Sequence, residues 1–206
     1  MITAADAETF ERCLAVHGVA LFPADTVYGL ACDPGAEEAV RRLYALKRRR
    51  PDKPAAVLFF DRDLALETLP ELRPRVRRAA EALLPGGVTL LLDNPAGRFP
   101  LACGPDPGTL GLRVPALTDA LAPLRAVRWP VLQSSANVAG GSDPRRVEDV
   151  PAPIRAEVEM ILDAGELPGT PSTVVDLRRF GAGGGHAIVR EGAVPAAVVA
   201  ERLREV

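Results

Sequence analysis

The segment Ala55-Ala56-Val57-Leu58-Phe59-Phe60 is an unbroken apolar run of strand length, the pattern of a strand buried on both faces. It sits in a chain where strand-like and helix-like patterns alternate, which implies an α/β sheet with helices packed against it. Thr3 caps a first helix whose stripe is Phe10, Cys13, Leu14 and His17, with Gly18 placed to end it. A strand over Val19–Pro23 leads into the turn Pro23-Ala24-Asp25-Thr26, and Val40, Leu43, Tyr44 and Lys47 share one face of a helix over 36–47. Further strands are expected at 88–92, 110–114, 131–134, 160–162, 173–177 and 187–190, and helices at 73–84, 117–126, 145–158 and 195–206. Strands near 90 and 112, and near 175 and 188, follow one another directly and so predict antiparallel members. The expected fold is a single α/β domain over residues 1–206: a twisted, mixed parallel/antiparallel sheet flanked by helices, with a concave basic ligand cavity.

Several function classes drop out on composition. A formal charge of −2 and a pI near 5.8 argue against wholesale coating of nucleic acid, so any polyanion contact should be a local patch. Cys13, Cys32 and Cys103 lack paired spacing and read as reduced, buried thiols. No run of eighteen apolar residues and no basic-then-apolar leader pattern occurs, which predicts a cytoplasmic protein without membrane contact. Two histidines are too few for HExxH, and neither GxSxG nor a Walker A pattern is found. Gly181 to Gly185 closes a loop between strands and lacks the context of a dinucleotide fingerprint. No metal ligands are assigned.

The residues that remain are polar and sit at predicted strand ends, where open α/β sheets bind ligands. Lys47, Arg48, Arg49, Arg50 and Lys53 put five cations in seven residues around Pro51, held at a helix end. That is an anion site or, alternatively, a solvated basic helix end. Asp25-Thr26, Thr89, Thr109, Arg113, Ser134-Ser135-Ala136-Asn137, Ser172-Thr173 and Arg190 complete the set. Taken singly, Ser135 and Asn137 also suit a turn cap, and Arg113 a structural ion pair.

In order and spacing these segments resemble the YrdC/TsaC-type threonylcarbamoyl-AMP synthase family. Pro23 to Leu30 (PADTVYGL) is similar to its PTxTVYGL, Lys47 to Pro54 (KRRRPDKP) to KxRPxxKP, and Pro85 to Thr89 (PGGVT) to PGPxT. Gly111 to Pro115 resembles GxRxP, Ser135 to Gly140 resembles SANxSG, Ser172 to Asp176 resembles STVxD, and Arg190 to Gly192 resembles RxG. Ala24, Gly87, Arg50 and Ala139 depart from those patterns. Loss of the hydroxyl at Ala24 costs at most one substrate hydrogen bond, about 0.5–1.5 kcal/mol.

The resemblance implies a nucleotidyltransferase that joins L-threonine, bicarbonate or CO2, and ATP into threonylcarbamoyl-AMP and pyrophosphate, usually with Mg2+. It implies downstream proteins that pass the product to tRNA. On this reading Lys47 and Arg49 offset charge on the triphosphate and in the transition state, and Lys53 holds the pyrophosphate side. Ser135 and Asn137 present a hydroxyl and an amide to phosphate or carbamate oxygens. Thr26, Arg113 and Ser172 contact threonine, while Thr109 and Arg190 lie on the nucleotide side. Two alternatives use the same fold: a tRNA- or double-stranded-RNA-binding module without synthase activity, and a carbamoyl-transfer domain like that of hydrogenase maturation proteins. The latter depends on additional domains for which 206 residues leave no room.

Overall fold

A computed structural model describes residues 1–206, with nine strands joined in one sheet. In chain order the strands are β1 (Ala20–Pro23), β2 (Tyr28–Cys32), β3 (Ala56–Leu58), β4 (Val88–Asp93), β5 (Thr109–Arg113), β6 (Val131–Ser135), β7 (Met160–Ile161), β8 (Thr173–Asp176) and β9 (Ala187–Arg190). The spatial order is β7-β1-β2-β6-β3-β5-β4-β8-β9. β1/β7, β3/β5 and β4/β8 pair parallel; the other five pairs run antiparallel, including β4/β5 and β8/β9 as expected. No helix is long and apolar enough to cross a membrane.

Strand alternation gives the sheet two unlike faces. On the first, Cys32, Leu132, Val57, Leu112, Leu90 and Val175 stand opposite one another in register across six strands, all fully buried. Helices α2 (Glu37–Leu46), α4 (Pro74–Leu83) and α7 (Ala196–Arg202) close over this row through Val40, Leu43, Val76, Leu83 and Val199, forming the larger core. On the second face, helix α1 (Ala4–Ala15) and a 3-10 helix (Asp119–Ala126) cover one part only. There Phe10, Phe22 and Phe60 meet at ring separations of 5.6–6.0 Å, tilted or edge to face. Val57 belongs to the first core and Leu58 to the second, so the apolar run is buried on both sides as its composition required.

Several local expectations are corrected. β2 pairs with β1 as a hairpin; its YGLAC sequence is covered on both faces and lacks a period-two signal. Gly18 does not supply the left-handed turn after α1. His17 does, at φ 60°, and lies outside the buried stripe. Gly18 is needed instead for closeness, since a Cβ there would lie 2.6 Å from Cys13 Sγ. The chain leaves α2 through left-handed Arg48 (φ 48°), not at Pro51. The stretch 145–158 splits at Val150-Pro151 into a 3-10 turn and α6 (Ala152–Glu157), because Pro151 and Pro153 cannot continue a helix. Helices α3 (Arg62–Thr68), capped by Asp61, and α5 (Pro100–Cys103) are further elements beyond the sequence reading.

Candidate active site

Where α1 and the 3-10 helix stop, the second face opens into a cavity of about 440 Å³. Its floor is one ladder row, Gln133–Ala56–Gly111–Leu91, with each neighbour in register. Ala56 and Gly111 give it depth. On β5, Thr109 and Arg113 flank Gly111 and point the same way, two residues to either side. Thr89 on β4 and Val174 on β8 continue the row that begins at Arg113, and Arg190 of β9 follows.

Seven of the ten expected site residues line this cavity: Thr26, Arg49, Thr109, Arg113, Ser135, Ser172 and Arg190. Lys47, Asn137 and Lys53 do not. Lys53 is exposed beside the rim residue Pro54. Lys47, the C-cap of α2, is 1% exposed. Its ammonium donates to the Ser135 carbonyl, to the Asn137 carbonyl (2.8 Å) and to Asn137 Oδ1 (2.9 Å). All three of its donors are therefore held by the 135–137 turn, and Lys47 supports the cavity wall from behind. Burial, followed by the neighbouring Arg49 charge, lowers its pKa to about 8.

Asn137 is saturated in the same way. Its Oδ1 also accepts from Ser135 Oγ (2.9 Å), and its Nδ2 donates to the Gly141 carbonyl (2.7 Å) and Asp143 Oδ1 (3.3 Å). Arg49 turns toward the cavity, where Nη2 donates to the Pro54 carbonyl (2.7 Å) and the guanidinium lies 5.7 Å from the Tyr44 ring centroid. Buried Arg113 donates through Nη2 to Asp25 Oδ1 (2.5 Å) and Thr26 Oγ1 (2.7 Å), while Asp25 Oδ2 accepts from the Ala116 amide. Burial lowers the Arg113 pKa, and Asp25 acts against that shift. The Nε groups of Arg49 and Arg113 are buried and have no hydrogen-bond partner.

At the β8–β9 end, the Thr89 and Ser172 hydroxyls lie 2.8 Å apart, and Arg190 Nη2 donates to the Ser172 carbonyl (2.7 Å). At the other end, Thr109 Oγ1 donates to Asp106 Oδ2 (2.7 Å) and accepts from Arg178 Nη1 (3.0 Å). Asp106, Gln133 and Asp143 line the cavity and were not singled out from the sequence. Period two counted back from Ser135 would have found Gln133; the two aspartates lie in loops, where no period operates.

The RxG glycine has a structural reason. A Cβ at Gly192 would lie 2.2 Å from the Pro171 carbonyl and 2.8 Å from that of Ser172. Gly192→Ala is expected to push Ser172 out of place and cost about 1–3 kcal/mol, the usual range for overpacking. Urea denaturation checks this, and an unchanged midpoint would refute the close-packing argument.

Fold and site together define an α/β protein with an arginine-lined cavity on the half-open face of a mixed sheet. The family model Sua5/YciO/YrdC, described as "Telomere recombination", matches residues 12–192, and the chain belongs to that family. It is 29% identical over 160 residues to the threonylcarbamoyl-AMP synthase of Pyrococcus abyssi, covering 77% of this chain and 47% of that protein. The solved structure of Pyrococcus abyssi Sua5 complexed with L-threonine superposes with a TM-score of 0.83 at 25% identity, covering 100% of this chain and 59% of that one. Escherichia coli YciO shares the fold, with a TM-score of 0.79 at 22% identity over 97% of this chain and 95% of its own. This chain thus spans about half the length of the Pyrococcus abyssi protein.

Proposed function

We propose that this chain is a threonylcarbamoyl-AMP synthase. The observation that carries the reading is the convergence of Arg49, Arg113 and Arg190, from three distant parts of the sequence, on one hydroxyl-lined cavity. The Pyrococcus abyssi relative of that name, and its threonine-bound structure, support the choice of reaction and amino acid.

In this reaction the threonine amine adds to CO2, supplied as such or from bicarbonate, and loses a proton to give a carbamate. A carbamate oxygen then attacks the α-phosphorus of ATP, and the bond to the pyrophosphate oxygen breaks. Both partners are anions, so their approach needs cations held in place beforehand. Arg49 and Arg190 serve the triphosphate. Arg113, aligned by Asp25, serves the carboxylate or carbamate from the cavity wall, with Thr26 and Ser172 offering hydroxyls beside it. Ser135 Oγ borders the cavity and reaches phosphate oxygens by rotating away from Asn137. Lys47 contributes charge from beneath the wall. Lys53, at the rim, reaches only the outer end of a triphosphate.

Mg2+ enters with the triphosphate as part of the substrate. The product is a mixed acyl-phosphate anhydride that hydrolyses in water, so a cytoplasmic partner should move the threonylcarbamoyl group on to tRNA.

Incubation with ATP, Mg2+, bicarbonate and each amino acid in turn tests the proposal. Pyrophosphate should appear with threonine, and release that is absent or indifferent to the amino acid would refute it.

A further inference from the structure

Lys47 carries a buried positive charge, yet every acceptor bonded to its ammonium is neutral. A buried cation without a bonded carboxylate is costly, and it needs negative potential from farther away. The hydrogen bonds lead to its source. Lys47 Nζ donates to Asn137 Oδ1, and the same amide donates through Nδ2 to Asp143 Oδ1. The amide dipole thus lies head to tail between an ammonium and a carboxylate, each favouring its orientation. Asp143 stands on the cavity wall beside Ser135, and the Asn137 amide is its hydrogen-bond donor.

We propose that Asp143 is a positioning residue for this site: its carboxylate shares the Asn137 NH2 with the Gly141 carbonyl and, through that amide, keeps the Lys47 ammonium charged behind the Ser135 wall. This rests on the synthase reading for its catalytic meaning, but the relay itself does not. The charged groups that act on Lys47 are Arg49, two residues along, which opposes protonation, and Asp143, which favours it. With the carboxylate gone, the Gly141 carbonyl (2.7 Å) still accepts from the amide NH2, but the one charge left acting on the ammonium is that of Arg49, which repels it.

The chain contains just two lysines, Lys47 and the exposed Lys53, so lysine labelled with 13C at Cε yields two signals that Lys53→Arg assigns. In the unaltered protein the Lys47 signal should titrate near pH 8. Asp143→Asn should lower that midpoint by roughly one pH unit, the scale of a lost opposite charge nearby, and Asp143→Glu should restore most of it. Asp106→Asn, which removes the other carboxylate lining the cavity, should leave it unchanged. In threonine-dependent pyrophosphate release, the fall in kcat/KM at high pH should move down with the Lys47 midpoint in Asp143→Asn. A purely structural lesion would lower the rate without moving that limb.

An unchanged Lys47 midpoint in Asp143→Asn overturns the proposal. If Asp143→Asn does not fold, Asp143→Ser takes its place and the same midpoint decides. A protein that releases no pyrophosphate with threonine defeats the synthase reading, while the titration still judges Asp143 independently.

Discussion

Arg49→Ala should reduce kcat/KM for threonine-dependent pyrophosphate release by about 10²-fold, the usual loss when one preorganised charge is removed from a transition state. Little stability should go with it. The guanidinium is anchored by the Pro54 carbonyl and lies near the Tyr44 ring rather than packing in the core, and its Nε has no partner to strand. Arg49→Lys keeps the charge but loses the planar fork, so it should recover only part of the rate. Steady-state kinetics with thermal unfolding of the same samples separates the two effects. An Arg49→Ala enzyme of near-normal kcat/KM would remove Arg49 from the mechanism.

Arg113→Ala should act mainly on the fold. Arg113 and Asp25 form a pair whose side chains are 3% and 10% exposed, and deleting one member strands a buried charge, a change that costs about 3–5 kcal/mol. Thr26 and the Ala116 amide, both tied to the pair, would shift as well. Combining Arg113→Met with Asp25→Asn should return much of the loss, since the carboxylate goes while an acceptor for Ala116 remains. Urea titrations of the single and double variants measure this. A loss below about 1 kcal/mol for Arg113→Ala would show that the pair adds little to stability.

Much of this architecture was legible beforehand because it depends on periodicity. The strands at 88–92, 110–114 and 187–190 and the antiparallel pairs follow from apolar runs and their spacing, which local sterics enforce. β2 was hidden because it is buried on both faces and short. For the site, the residue types were readable but their depth was not. Helical spacing carried Lys47 toward the sheet, yet spacing does not tell a side chain that reaches a cavity from one that stops behind its wall. For Arg113 the sequence left ligand binding and ion pairing as alternatives. In the structure Nη2 makes the ion pair with Asp25 and bonds Thr26, while the same residue lines the cavity. Asp143 follows Gly140 and Gly141 in a loop, and only tertiary structure sets it against Asn137.

The unbroken apolar row across six strands lies wholly behind the hollow, and the small residues Ala56 and Gly111 lie wholly in front. Recognition and robustness are thereby encoded at alternate letters of the same strands. Drift or engineering can reshape what the front admits, one front-facing position at a time, without disturbing the alternate positions that keep the scaffold standing.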